Sequence, residues 1–138
     1  MPTSDVREAM ARRGFEAFNA ADAKAVIGLL TEDVEVFSSP ELANAGTFHG
    51  HDGYMKWVGP WAEAWQGLQM DVKSITPVGD RHVVAEVHQI GQGRAGIEVS
   101  MDVAFLFDVT DEGLASFVAL LPDAQQAVEL ARDREARG

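Results

Sequence analysis

A regular alternation of apolar and polar residues in the second half of the chain predicts a meander of long β-strands. Between positions 96 and 109, apolar side chains recur at every second position: Val99, Met101, Val103, Phe105, Phe107 and Val109. This period of two is typical of a strand with one buried face. Turns rich in Gly and Asp separate the predicted strands, which span 70–78, 81–92, 96–109 and 114–121.

The first part of the chain follows a helical period instead. From position 4 to position 30, apolar residues recur at three- and four-residue spacing, with an interruption at 19–22. We therefore expect two helices that meet at an elbow. Ser4 or Asp5 would cap the first helix, and Asp22 would cap the second.

Between the elbow and the meander, the sequence predicts a short strand at 34–38, a loop at 39–53 and a third helix. This helix starts at about position 51, runs to about 66 and contains Pro60, which predicts a kink. A last helix follows the meander at 124–134. The order of elements predicts the α+β class, with helices on one face of a curved antiparallel sheet. Because the last strand is apolar on both faces, its second face needs cover from the last helix or from a second subunit.

Composition narrows the range of partners. The 138-residue chain has 22 acidic and 11 basic residues, a formal net charge of −11, and no cysteine. A surface this acidic repels phosphate backbones and anionic lipids, so we expect neither nucleic acid nor membrane as a partner. The missing thiols exclude disulfides and thiolate catalysis. A cytoplasmic protein is the simplest interpretation.

Several segments, in order along the chain, resemble the SnoaL-like branch of the nuclear transport factor 2 superfamily. They are Phe15 to Asp22, Leu29 to Val34, His49 with Gly50, Asp111 to Gly113, and Pro122 to Val128. The resemblance implies that residues 1–138 form a single SnoaL-like domain. In such a domain, a cone-shaped curved antiparallel sheet carries the N-terminal helices on its concave face. The superfamily includes ketosteroid isomerases, polyketide cyclases, epoxide hydrolases and proteins that are not enzymes, so the fold does not fix the function.

The resemblance also implies which residues look into the cone. It assigns a ligand-binding role to Phe15, Phe18, Ser38, Trp57, Val58, Trp61, Ile90, Val103, Phe105, Phe107, Val118 and Leu120, and it turns Gly14, Val36, Glu86 and His88 inward as well. The three positions that carry catalysis in ketosteroid isomerases correspond here to Gly14, Ser38 and Phe105. None of these side chains can act as the acidic donor or carboxylate base of that reaction.

Glu86 and His88 are the candidate catalytic pair. They lie two residues apart on one predicted strand, so they point the same way, about 7 Å apart at the backbone. A carboxylate beside an imidazole can act as an acid/base couple near neutral pH. Two interpretations conflict, because the apolar residues Val83, Ala85 and Val87 predict that the even-numbered face is wet, whereas the resemblance turns it inward.

Three other sets of residues are weaker candidates for a functional role. Tyr54, Trp57, Trp61 and Trp65 form a stripe on the third helix, which suits either plain core or the wall of a pocket for a flat ligand. His49 and His51 fall short of the three converging ligands that a metal needs, so we expect neither a metal nor a cofactor. His82 follows a turn and is expected to be exposed.

The leading hypothesis is a pocket protein for an apolar small molecule, working as a cofactor-free isomerase, lyase or cyclase with His88 and Glu86 as the proton-handling pair. One alternative is a ligand-binding or dimerisation module without catalysis. Another is water activation as in the epoxide hydrolases, for which the chain offers no convincing inward arginine. The resemblance further implies a homodimer.

Overall fold

The chain forms a curved, unclosed six-stranded sheet with helices on both of its faces, as given by a computed structural model that describes residues 1–42, 45–64 and 66–137. The α+β prediction is confirmed. The elements in chain order are α1 (Ser4–Asn19), α2 (Ala23–Ile27), β1 (Leu30–Ser38), β2 (Gly46–His49), α3 (Gly50–Ala64), β3 (Gln66–Val78), β4 (His82–Gln92), β5 (Glu98–Val109), β6 (Ala115–Leu121) and α4 (Ala124–Ala136).

The strand order β2-β1-β6-β5-β4-β3 differs from the expected antiparallel sheet in two ways. First, β2 lies in a segment predicted as loop and pairs with β1 from Glu35↔His49 to Ser38↔Gly46. This strand is four residues long and largely exposed, so it has no apolar alternation that a pattern could reveal. Second, β1 pairs with β6 in parallel, which makes the sheet mixed.

Side-chain caps fix the starts of three helices. The Thr3 hydroxyl accepts a hydrogen bond from the Val6 N–H at 3.1 Å, so Thr3 caps α1, and the assignment of this cap to Ser4 or Asp5 was wrong. Asp22 caps α2 as predicted, and its carboxylate accepts from the Ala25 N–H at 3.1 Å. Asp123 caps α4 in the same way. The helix α3 continues through Pro60.

The main core lies between α1, α2, α3 and the concave face of the sheet. The odd-numbered apolar residues of β4, namely Val83, Ala85 and Val87, point into this core. In β5 the same face is formed by Val103, Phe105 and Phe107. The period of two in the sequence therefore gives the correct inward face for both strands.

A second, smaller core lies on the convex face, beneath α4. It consists of Val84, Ala104, Leu106, Phe117, Ala119, Leu121, Ala127 and Ala131, all of them buried. The outer face of β6 is thus covered by the last helix, which is one of the two alternatives that its apolar sequence left open.

A buried ion cluster anchors the end of α4 to the sheet. The Nδ1 of His82 lies 2.5 Å from Asp108 Oδ1, and the Nε of Arg134 donates to Asp108 Oδ2 at 2.8 Å. The His82 Nε2 lies 2.9 Å from a carboxylate oxygen of Glu135. His82 is 1 % exposed, so its expected exposure was wrong. The cause is α4, whose last turn covers a residue that would otherwise face water.

From the other side, Arg7 of α1 holds the same turn between β3 and β4. Its guanidinium donates to the carbonyl oxygens of Gly79 at 2.9 Å and His82 at 2.8 Å. The first and last helices are therefore joined through one hairpin turn. None of the helices in the described part of the chain is long and apolar enough to span a membrane.

Candidate functional site

A small apolar cavity lies at the centre of the main core. Its volume is about 50 Å³, and it is bounded by all three helices of the concave side and by four strands. The lining residues are Met10, Gly14, Phe15, Phe18, Val26, Leu29, Leu30, Tyr54, Trp57, Met70, Phe105, Phe107, Ala115 and Val118.

Aromatic rings form a large part of the cavity wall. Phe15 of α1 stands edge-on to Phe105 and Phe107 of β5, with ring centroids 5.2 Å and 5.8 Å apart. On α3, Tyr54 and Trp57 meet edge to face at 5.8 Å. These are favoured geometries for aromatic pairs. These aromatic pairs pack directly against each other and form an apolar part of the cavity wall.

A surface cleft of about 340 Å³ lies next to the cavity, between the helical elbow, α3 and the start of β3. Phe18, Val26 and Tyr54 line both spaces and separate them. The side-chain amide of Asn19 links the elbow to β3. Its oxygen accepts a hydrogen bond from the Met70 N–H at 2.8 Å, and its nitrogen donates one to the Met70 carbonyl oxygen at 2.9 Å. The cleft thus has a fixed floor and a side-chain partition toward the interior.

The polar groups of the described cavity wall belong to Tyr54 and Trp57. Burial raises the pKa of the Tyr54 phenol well above its ordinary value of about 10. The phenol is therefore neutral at physiological pH and can donate a hydrogen bond.

Gly14 makes part of the space inside the cavity. It lies in the middle of α1, where glycine is unfavourable by about 1 kcal/mol relative to alanine. A β-carbon built at this position would meet no described atom within 4 Å. The missing side chain therefore widens the cavity without being needed for the backbone.

The structure brings together half of the predicted ligand-binding residues. Those that line the cavity are Phe15, Phe18, Trp57, Phe105, Phe107 and Val118. Val58 lines the adjacent cleft. Ser38, Val103 and Leu120 are buried on the concave side without lining the cavity. The side chain of Trp61 and all of Trp65 lie outside the described part of the chain.

Glu86, His88 and Ile90 lie on the opposite face of the sheet from the cavity. The register between β4 and β5 is continuous from His82↔Asp108 to Gln92↔Glu98, so the strand keeps strict alternation. Since Val83, Ala85 and Val87 point inward, the even-numbered residues must point outward. The inward orientation that the resemblance implied for these three residues was wrong, and the apolar pattern was right.

On the outer face, Glu86 and His88 have separate partners. The Ser74 hydroxyl donates to a Glu86 carboxylate oxygen at 2.7 Å, and His88 Nδ1 lies 2.6 Å from Asp102 Oδ1. Nearby on β3, a hydrogen bond from Lys73 and its charge lower the pKa of Asp71. This polar surface is largely exposed to water, in contrast to the closed interior.

Sequence reasoning missed several residues of the cavity wall. Met10, Leu30, Met70 and Ala115 belong to it, but they read as ordinary core residues in the pattern. Tyr54 could have been found, since it opens the aromatic stripe of α3. Among the described residues, no group of three His, Asp or Glu side chains is placed to hold a metal ion.

Buried polar atoms without a hydrogen-bond partner mark two further points on the concave side. Within the described part of the chain, Ser38 Oγ on β1 and Gln89 Oε1 on β4 are such atoms. Both residues are at most 1 % exposed. Gln89 was not predicted as a site residue from the sequence, because a single glutamine in a strand belongs to no recognisable motif.

Comparison with known structures identifies the class of the fold. The chain is similar to an NTF2-like protein of unknown function from Burkholderia pseudomallei, with 17 % identity, a TM-score of 0.75, and coverage of 91 % of this chain and 96 % of that one. The fold is therefore of the nuclear transport factor 2-like class. The sequence model of the SnoaL-like domain matches residues 11–117, so the chain belongs to the SnoaL-like domain family.

Two further structures share the fold. One is a putative polyketide cyclase from Xanthomonas campestris, with 20 % identity, a TM-score of 0.73, and coverage of 91 % of this chain and 96 % of that one. The other is a Mycobacterium tuberculosis protein in complex with estradiol-17β-hemisuccinate, with 12 % identity, a TM-score of 0.72, and coverage of 87 % and 95 %. No curated protein sequence gives a significant match.

Proposed function

We propose that this protein binds a flat, apolar, ring-containing small molecule in the cavity between α1, α3 and the sheet. The observation that carries the proposal is the cavity wall itself. It is built from aromatic and aliphatic side chains, and the single titratable group among its described residues is the phenol of Tyr54, which burial keeps neutral. Such a wall favours an apolar ring system.

The cavity must open into the adjacent cleft before a drug-sized ligand can bind. Pockets for drug-sized ligands measure about 300–1,000 Å³, which exceeds the cavity of about 50 Å³ several-fold. The adjacent cleft of about 340 Å³ supplies the missing space once the partition opens. Phe18 is the partition residue best placed to move, because it is half-buried at the C-terminal end of α1 whereas Tyr54 and Val26 are buried. We therefore propose that the ligand enters the cavity through this cleft.

Catalysis in the cavity has less support than binding. The described wall contains neither a carboxylate nor an imidazole, and the candidate pair Glu86 and His88 lies on the other face of the sheet. Tyr54 is the single titratable group that the described wall offers, and burial keeps it protonated. A cyclase or isomerase role would thus depend on a phenol donor rather than on an acid/base couple.

The comparisons support the proposal at the level of the fold. A protein with this fold was crystallised with a steroid derivative, which is a flat polycyclic molecule. At 12 % identity, the likeness does not extend to individual contacts. It does provide a reasonable first probe for this cavity.

The test is a titration of the protein with 2-naphthol and estradiol-17β-hemisuccinate by isothermal calorimetry, repeated on a variant with a filled cavity. Gly14→Leu places a side chain in the open space of the wall and replaces a glycine in mid-helix, so we expect a folded protein. Gly14→Ala is the smaller variant in case the leucine overpacks the core. Arg13→Leu is the matched control, because it makes the same residue at the exposed neighbouring position.

We expect at least one probe to bind the wild type, and the affinity to fall about tenfold or more in Gly14→Leu, which corresponds to about 1.4 kcal/mol. The control should bind like the wild type. Absence of binding by both probes would overturn the proposal. Equal affinities of the wild type and Gly14→Leu would mean that the ligand binds outside the cavity, which would also overturn the proposal.

A further inference from the structure

Gln89 stands out among the concave-face residues because it is polar, buried and incompletely satisfied. Gln89 is 1 % exposed, and none of the described residues donates a hydrogen bond to its amide oxygen. A buried acceptor without a donor costs free energy, so folded proteins rarely keep one without a reason. If this residue served only to stabilise the fold, an apolar residue of the same shape at this position would make the protein more stable.

The register of the sheet places Gln89 beside the cavity. It lies directly opposite Met70 of β3, and Met70 lines the cavity wall. Side chains of directly paired residues share one face of the sheet, with β-carbons about 5 Å apart. Gln89 is also an odd-numbered residue of β4, like the inward-pointing Val87 and Ala85. The Gln89 side chain therefore lies on the concave face of the sheet, beside a residue of the cavity wall.

Met70 is the side chain that separates Gln89 from the lined space. Methionine is unbranched and has three rotatable bonds, so it adapts to a neighbour more readily than the aromatic side chains of the wall. Its backbone is held by both groups of the Asn19 amide. The strand is thus fixed at this point, whereas the thioether can yield to a ligand that reaches Gln89.

An amide oxygen accepts hydrogen bonds and cannot donate them. Its partner must therefore be a donor, and none of the described residues supplies one. We propose that Gln89 is a specificity-determining residue that accepts a hydrogen bond from a hydroxyl or N–H group on the ring system of the ligand. This inference rests on the proposed function, since it names the chemical class within it: a hydroxylated or amino-bearing flat ring compound rather than a pure hydrocarbon or an ether.

The test compares two probes that differ in the donor. 2-Naphthol carries a hydroxyl, and 2-methoxynaphthalene has the same rings with a methyl group in place of its proton. Both are titrated against the wild type, Gln89→Met and Gln92→Met. Methionine is close to glutamine in length and shape. Gln92 is the matched control, because it is an exposed glutamine of the same strand.

We expect the wild type and Gln92→Met to bind 2-naphthol about tenfold more tightly than 2-methoxynaphthalene, which is the usual contribution of one hydrogen bond. In Gln89→Met, this ratio should fall to about one, mainly through weaker binding of 2-naphthol. The melting temperature of Gln89→Met should be equal to or above that of the wild type, because an unsatisfied polar group has been removed.

The failures of the two proposals are distinguishable. If neither naphthalene nor the steroid probe binds the wild type, the proposed function itself fails. If both naphthalenes bind the wild type with equal affinity, or if Gln89→Met keeps the preference for 2-naphthol, ligand binding stands and the role of Gln89 is overturned. A marked loss of stability in Gln89→Met would also overturn it, since the glutamine would then be a structural residue.

Discussion

Tyr54 illustrates how a single residue acquires its properties from its position. It is the one tyrosine of the chain, it is 8 % exposed, and it lies in the partition between the cavity and the outer cleft. Burial disfavours the charged phenolate, which raises the pKa of this group. The phenol of Tyr54 therefore stays neutral over the whole physiological pH range.

This leads to a prediction about alkaline pH. Because the folded-state pKa is raised above the unfolded value of about 10, the folded state holds its proton at pH values where the unfolded state has lost it. The free energy of unfolding should be constant with respect to this group below pH 10 and should fall as pH rises above 10. Absorbance at 295 nm reports Tyr54 without interference from other tyrosines, and we expect its phenolate signal to appear together with unfolding.

Tyr54→Phe is the control for this prediction. Its free energy of unfolding should depend less on pH above 10 than that of the wild type. A phenolate signal that titrates near pH 10 in the folded protein would contradict the prediction, since it would mean that the phenol is in contact with water.

The residues of β4 show what could be predicted from the sequence and what could not. The alternation of Val83, Ala85 and Val87 gave the correct inward face of β4, because burial of apolar area is a local property of a strand. The resemblance placed Glu86, His88 and Ile90 on the wrong face, since a shift of one residue in the alignment inverts every side chain of a strand. Gln89 was missed because a buried polar residue on an apolar face has no signature until its surroundings are known.

At the scale of elements, the neighbouring strands β4 and β5 carry two Asp–His pairs that differ in burial. In the pair His82–Asp108, the side chains are 2 % and 6 % exposed. In the pair His88–Asp102, they are 30 % and 86 % exposed. Both pairs join directly opposite residues of the same ladder, so the strand geometry is shared. The buried pair also receives Arg134 and thereby fixes the last turn of α4.

We predict that Asp108→Ala lowers the free energy of unfolding by about 3 kcal/mol, because it leaves His82 and Arg134 without their shared buried partner. Asp102→Ala is the matched variant and should cost less than about 1 kcal/mol, as is usual for exposed ion pairs. Chemical denaturation of both variants measures the difference. Similar losses in the two variants would show that burial does not govern these pairs.

The elements differ in how far sequence could predict them. Long segments with strong periodicity, such as α1, β5 and α4, were predicted close to their observed bounds. The short edge strand β2 was predicted as loop, since four largely exposed residues carry no periodic signal. The parallel pairing of β1 with β6 could not be predicted from local pattern at all, because it depends on how distant segments meet.

For the whole molecule, the resemblance predicts a homodimer, and this stays a prediction. The outer face of β6 gives no independent reason for it, since α4 already covers that face. Multi-angle light scattering at micromolar concentration measures the mass directly. We expect about twice the chain mass of 14.9 kDa, and a monomeric mass would contradict the prediction.

The pairing of β1 with β6 has a consequence for the order of events during synthesis. β1 ends at Ser38, and its neighbour β6 begins at Ala115, so most of the chain lies between two strands that are adjacent in the centre of the sheet. While a ribosome extends the chain, β1 has β2 beside it but lacks its other neighbour until β6 emerges. Contacts between such distant segments slow folding and leave strand edges open in the meantime. The sheet, and with it the cavity, can therefore be completed only after β6 has been synthesised.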